Sequence, residues 1–182
     1  MRPAVAVPLA VLLLACPAAG STRAVGPGAV VELSADRLAT ALPVAAAKWH
    51  SGDPVDSPER EREVLAAAER HASALGVEPE SVAAVVRDQI EANKTVQRSL
   101  HARWHADPGG GPGTEPDLSR VRAELDRLTP ELVRALADAG PALRSPDCGA
   151  DLARSTREVA DERGLDRVGT AALARSLASV CP

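Results

Sequence analysis

The sequence predicts an all-α protein, a bundle of about six helices, and three observations carry that prediction. Hydrophobic residues make up 45% of the chain but aromatics only 1%, so the core is built from Ala, Leu and Val. Such residues suit closely packed helices, and the richness in Ala, Arg and Glu agrees with their helix propensities. Apolar residues also recur at helical spacing. In 82–100, VAAVVRDQIEANKTVQRSL, a turn of about 100° per residue sets Val82, Val85, Val86, Ile90, Val96 and Leu100 on one side. Arg87, Asp88, Glu91, Lys94 and Arg98 then fall on the opposite, solvated side. Finally, Pro and Gly signals punctuate these stretches at helix-length intervals. At 182 residues the chain is long enough for one domain with a proper core. Its net charge of −4 comes with no basic stripe, which removes the electrostatic footing for nucleic acid.

The chain opens with Met1-Arg2 and a short apolar run to Ala15, followed by small residues. Residues 1–20 therefore read as a secretory signal peptide with a cleavage site after Ala18-Ala19-Gly20, leaving a single domain over 29–182. A spanning helix would need about twenty apolar residues. An alternative takes Leu13-Leu14-Ala15-Cys16 as a lipidation site that anchors Cys16; Pro17 directly after the Cys ranks it second.

The first helix is expected over roughly 29–50, bent by Pro43. Arg37, Ala41, Val44 and Lys48 share a face, because eleven residues make about three turns and leave Arg37 and Lys48 about 20° apart. Leu38, Leu42, Ala45 and Trp49 line a second, apolar face. After a loop, Ser57-Pro58-Glu59 supplies an N-cap, an N1 proline and a first-turn acid. That second helix runs to about Leu75 with Val64, Ala67, Ala68, Ala72 and Leu75 inward and Arg60 and Glu61 at the edge of the face; Gly76 ends it. A long third helix starts at Glu78-Pro79 and runs to about Ala106.

Asp107 to Pro116, DPGGGPGTEP, is a linker; no helix-opening GK[ST] follows that would make it a phosphate loop. The fourth helix, about 117–138, buries Leu118, Val121, Leu125, Leu128, Leu132 and Leu136, with Arg122 at the edge of the stripe and Pro130 expected to kink or split it. Two shorter helices follow, about 146–163 and 166–180, carrying Cys148 and Cys181. With the leader removed these two cysteines are an even pair in an exported chain, expected to form a disulfide that ties the C-terminal helical hairpin.

Several familiar chemistries find no support. His101 and His105 stand at i,i+4 with no third ligand and no HExxH, so they are expected to face solvent and no metal site is assigned. His71 lies on an apolar face and is expected to be a satisfied core histidine. There is no G-x-S-x-G and no Rossmann fingerprint. Asn93-Lys94-Thr95 spells a glycosylation sequon, but Asn93 points inward. Three amides, Gln89, Asn93 and Gln97, interrupt the apolar stripe of the long helix, where each needs a hydrogen-bond partner. For each, pairing with a neighbouring helix is the simpler reading, but Asn93 and Gln97 one turn apart look more like the wall of a polar ligand site.

The inward polar set is then Arg37, Lys48, Arg60, Glu61, Asn93, Gln97 and Arg122. Cations and amides drawn from four helices describe a pocket for a small dianion, most naturally a dicarboxylate. None of these groups is an obvious nucleophile or a base poised near neutrality. Such a site binds, orients and stabilises charge developing on an oxygen.

At these residues the chain resembles the all-α (AroQ) class of chorismate mutases. Pro54-Val55 and Glu59-Arg60-Glu61-Arg62-Glu63-Val64-Leu65, with Lys48 upstream and Asn93…Gln97 downstream, carry the likeness. The segment Leu118…Arg122-Ala-Glu-Leu-Asp126-Arg-Leu128 is similar to the one that opens the intracellular members, but here it comes after the other site segments. That order, with the leader, the linker and the two C-terminal helices tied by a disulfide, resembles the secreted gamma subclass, as does Pro43-Val44-Ala45-Ala46…Lys48-Trp49. The likeness covers about 30–181.

The resemblance implies conversion of chorismate to prephenate, a pericyclic rearrangement without cofactor or covalent intermediate. It implies that Arg37, Arg60 and Arg122 hold the substrate's carboxylates and that Asn93 helps fix one. Lys48 would sit between a carboxylate and the ether oxygen, Gln97 would donate to the same oxygen, and Glu61 would accept from the ring hydroxyl. Lys48, Gln97 and Arg60 are thus the expected catalytic residues. Close secreted relatives carry Glu at the place of Gln97 and Thr or Ser at that of Asn93; Ser57 replaces an acid found there elsewhere, and Pro130 interrupts the usual helix. The expected partner is the small-molecule substrate, with no membrane after leader removal and a secreted or periplasmic location; a homodimer is one option that the sequence leaves open. Two rival readings stand beside this: an exported, non-catalytic binding module for a small dicarboxylate, and a lipid-anchored helical interaction protein whose inward cations form buried salt bridges with Glu61 and other acids.

Overall fold

The computed structural model describes residues 26–107 and 109–181; the leader, its cleavage site and Cys16 lie outside them. Among the described residues there are seven helices and no strand: α1 (Gly28–Ala39), α2 (Ala41–Ser51), α3 (Pro58–Ala74), α4 (Pro79–Ala106), α5 (Leu118–Leu143), α6 (Cys148–Glu162) and α7 (Arg167–Arg175). The all-α expectation holds, with one helix more than expected. The difference arises in the first helix, which is two. The pyrrolidine of Pro43 has no N–H and crowds the carbonyl four residues back, so the helix is interrupted just before it. The interruption falls at Thr40, whose N–H reaches the Arg37 carbonyl at 3.3 Å while its Oγ1 donates to the same oxygen at 2.7 Å.

α4 is the axis of the bundle: α1, α2, α3 and α7 all pack on it, while α5 closes the other side against α1, α2 and α3. The main core joins Val30, Val31 and Leu38 of α1, Val82 and Val86 of α4, Leu132, Val133 and Leu136 of α5, and Leu173 of α7. A smaller cluster of Ala45, Ala46, Leu100 and Trp104 fastens α2 to the C-terminal half of α4. The α6–α7 hairpin lies against α1, with Cys148 and Cys181 joined as a disulfide (Cα–Cα 5.9 Å). Arg163 secures it by ion pairs to Glu32 and, at 2.7 Å, Asp36.

Three turn predictions meet different outcomes. Gly76 (φ 68°) ends α3 in a Schellman motif, with Val77 N–H on the Ala72 carbonyl at 3.0 Å and Gly76 N–H on that of Ser73 at 3.2 Å. Ser57 occupies the N-cap of α3 but its side chain makes no capping bond; its backbone N–H instead reaches Glu61 Oε1 at 3.1 Å. α5 is neither split at Pro130 nor ended before Gly140. Its Leu128, Leu132, Val133 and Leu136 are buried, which outweighs the roughly 3 kcal/mol a proline costs inside a helix. The carbonyl left without its helical partner is that of Asp126, an exposed residue.

Three apolar-face assignments are corrected. Leu42 is 56% exposed and Leu75 45% exposed, because the break at Thr40 turns the first away and the second is the C-cap of α3, beyond its last helical turn. His71 is exposed rather than in the core. His101, expected in solvent, is half-buried: its Nε2 donates to the Ala45 carbonyl at 2.8 Å, and its ring packs edge-on against Trp49.

Candidate active site

Between α1, α2, α3, α4 and α5 lies a cavity of about 170 Å³. Arg37, Lys48, Arg60, Glu61, Asn93, Gln97 and Arg122 all line it, drawn from all five of these helices. Val44, Val64, Ile90 and Leu125 supply apolar wall between the polar groups. The break at Thr40 does not separate Arg37 from Lys48, because both α1 and α2 pack against α5 and α4 on the cavity side.

The amides form a relay whose direction is fixed by a carbonyl. Asn93 Nδ2 donates to the Arg37 carbonyl at 3.0 Å and lies 3.1 Å from Thr40 Oγ1. A backbone carbonyl only accepts, so the nitrogen of Asn93 must face it and Oδ1 must face the other way. That oxygen in turn receives Gln97 Nε2 at 2.7 Å. Gln97 thus turns its NH₂ along the cavity wall, with one N–H engaged and one still free to donate. Gln89, a turn deeper, pairs with Ser34 Oγ at 2.8 Å and is a link between α4 and α1. Arg37 Nε, Gln89 Oε1 and Gln97 Oε1 are buried without a hydrogen-bond partner among the described residues.

The cations differ in how firmly they are held. Arg37 is only 5% exposed; its Nη1 donates to Thr129 Oγ1 at 3.0 Å, and no acid forms an ion pair with it among the described residues. Burial, and then the charge of Arg60, lowers its pKa to about 10, so it remains a cation at neutral pH. Arg60 pairs with Asp126 at 2.8 Å and Glu63 at 3.2 Å. Burial opposes its charge, but these two bonds prevail and raise its pKa. Both acids are exposed, so the pairs are weak and can be exchanged for a ligand carboxylate. Lys48 gives its ammonium to the Val55 carbonyl. Burial draws its pKa down from the usual lysine value, against the pull of Asp56, Glu61 and Asp53. Arg122 is exposed at the mouth.

One cavity residue was placed wrongly by helical periodicity. Lys94, assigned to the solvated side of α4, is 8% exposed and lines the cavity. It contacts Glu61 (3.2 and 3.3 Å), Asp56 (3.1 Å) and Glu91 (2.6 Å). Burial disfavours its charge, but the bonds to Glu91, Asp56 and Glu61 prevail and raise its pKa. A signal for it existed: only Lys48 and Lys94 are lysines among 21 basic residues, and both line this cavity. No group of three or more His, Cys, Asp or Glu is arranged to hold a metal ion among the described residues.

Taken together, the cavity gathers buried, half-buried and exposed cations, an amide N–H free to donate and a carboxylate held by a lysine. The sequence pattern of the family described as "Chorismate mutase type II" matches residues 28–98, from α1 through most of α4. A secreted chorismate mutase of Mycolicibacterium smegmatis is 40% identical over 152 residues, covering 84% of each chain. One from Mycobacterium tuberculosis is 32% identical over 152 residues, covering 84% of this chain and 76% of its own. The crystal structure of a chorismate mutase from Burkholderia thailandensis superposes with a TM-score of 0.81 at 40% identity, covering 85% of this chain and 98% of that one. The chain belongs to the chorismate mutase family, in its all-α, secreted branch.

Proposed function

We propose that this protein converts chorismate to prephenate in the cavity between α1 and α5, as an exported enzyme working within one chain. The observation that supports this best is the convergence of Arg37, Lys48, Arg60, Glu61, Asn93, Gln97 and Arg122 on one small cavity in a chain of this family. The reaction breaks one C–O bond and forms one C–C bond within a single molecule. No proton or electron leaves, so neither a base nor a redox group is called for. The protein's task is to hold the dianion folded, its ring and side chain in contact, and to stabilise the negative charge that grows on the ether oxygen.

In this reading Arg37 and Arg60 take the carboxylates. Arg37 is already fixed by Thr129, and Arg60 exchanges its exposed acids for the ligand. Arg122 closes over the same charges from the mouth. Lys48 bridges a carboxylate and the ether oxygen, and the free N–H of Gln97 donates to that oxygen. Glu61 accepts from the ring hydroxyl. Lys48, Gln97 and Arg60 are the catalytic residues; Asn93, whose two N–H groups are engaged by the Arg37 carbonyl and Thr40 Oγ1, orients Gln97 and has no donor left for the carboxylate expected of it from the sequence. The first 20 residues direct export and are removed, leaving the domain over 29–182.

Ultraviolet absorbance following the disappearance of chorismate tests the reading with purified mature protein. Turnover that is lost in Lys48→Ala supports it. An intact protein that binds dicarboxylates and leaves chorismate unchanged overturns it in favour of a binding module.

A further inference from the structure

Glu61 would swing out of the cavity if its carboxylate had no anchor, because its side chain is 26% exposed and sits in the first turns of α3. Two groups restrain it. The Ser57 backbone N–H reaches Oε1 at 3.1 Å, and the Lys94 ammonium spans both oxygens at 3.2 and 3.3 Å. Lys94 is itself fixed from its outer side, by Glu91 one turn back on α4 at 2.6 Å and by Asp56 of the α2–α3 loop at 3.1 Å. Asp56 is held in place by Arg98, which gives it two bonds of 2.8 and 2.9 Å. A nearly buried ammonium tied on three sides can move little, so the carboxylate bridged to it is fixed in direction as well as in charge.

We propose that Lys94 is a positioning residue: it aims the Glu61 carboxylate at the substrate's ring hydroxyl, so that the cavity selects chorismate over a ligand lacking that hydroxyl. The inference rests on the chorismate reading of the cavity, and deepens it by assigning hydroxyl recognition to a Lys94–Glu61 unit rather than to Glu61 alone. The bonds of the Lys94 ammonium go to Glu61, Asp56 and Glu91. Its effect passes through the acid that it holds.

A site that hydrogen-bonds a substrate hydroxyl discriminates against the analogue without it, whereas general loosening of the fold penalises both ligands alike. The experiment therefore measures kcat/KM for chorismate and for its ring-deoxy analogue in the wild type, Lys94→Met and Lys94→Arg. Lys94→Met is expected to lose roughly tenfold or more on chorismate and less than about twofold on the analogue, with Lys94→Arg keeping most of the preference. In a Glu61→Gln background, Lys94→Met should change the preference no further, since the two act as one unit. Removing Lys94 leaves Asp56, Glu61 and Glu91 facing one another. If that variant does not fold, Lys94→Met/Glu91→Gln relieves the repulsion and answers the same question. Equal losses on both ligands, or none, overturn the assignment while wild-type turnover still supports the reaction. A wild type that turns over neither ligand overturns the reaction and the assignment together.

Discussion

The side-chain nitrogen of Asn93 lies 3.0 Å from the backbone carbonyl of Arg37, at the point where the first helical stretch breaks. That bond joins α4 to α1 and settles which way two amides point. It makes the interruption imposed by Pro43 part of the site's construction, because Thr40 and the Arg37 carbonyl are both placed by it. Asn93→Asp should therefore harm more than a loss of one contact would. An ionised carboxylate has no hydrogen for the Arg37 carbonyl and would confront it. We expect a thermal destabilisation of about 1–3 kcal/mol and a clear fall in turnover, with Asn93→Ala milder in stability. Calorimetry beside steady-state kinetics checks it, and an Asp variant as stable and active as the wild type contradicts the relay.

Lys48→Ala and Arg60→Ala should each lose at least ~100-fold in turnover, by analogy with removing one preorganised donor to a developing oxyanion. Neither belongs to the main core: Lys48 is half-buried against a loop carbonyl and Arg60 ends in exposed acids. Far-ultraviolet circular dichroism should therefore be unchanged. Rates near wild type in either variant would remove the catalytic assignment.

The pH profile should be nearly flat from mildly acid to mildly alkaline conditions, because in the proposed mechanism the donor to the ether oxygen is the Gln97 amide, which does not titrate. At the alkaline end activity should fall. Lys48 and Arg37 must be cations to act; burial lowers both pKa values, Arg37 to about 10, and a base with a lowered pKa loses its charge sooner as pH rises. Gln97→Glu should reverse the acid side. A glutamate donates only when protonated, so its activity should climb as pH falls. An unchanged profile in Gln97→Glu would separate Gln97 from the reacting oxygen.

Reduction of the Cys148–Cys181 bond should cost stability rather than activity. The bond spans 33 residues of sequence, for which chain entropy gives about 3–4 kcal/mol, and the α6–α7 hairpin lends no residue to the cavity. A Cys148→Ser/Cys181→Ser variant assayed well below its melting temperature should keep most of its kcat/KM. A melting temperature equal to the wild type would show that the hairpin is held by packing and the Arg163 pairs alone.

What the sequence determined by itself is what local chemistry controls. Periodicity and propensity set the helical class, Pro58, Gly76 and Pro79 set three helix ends to within a residue, and an even cysteine pair set the disulfide. The inward side of the long helix was legible because Val82, Val86 and Leu100 demand burial from any partner. The tertiary structure decided the rest, because a helical wheel gives an angle and not a neighbour. Lys94 has the angle of a solvated residue, yet Asp56 and Glu61 arrive from a loop and from another helix and draw its charge inward. Leu42 and His71 have the angle of buried residues, yet both are exposed in the assembled bundle. Pro130 is locally a helix breaker, but packing of the leucines around it keeps α5 continuous across the bundle. In each case the deciding energy lies in contacts between segments distant in sequence, and no local pattern contains it.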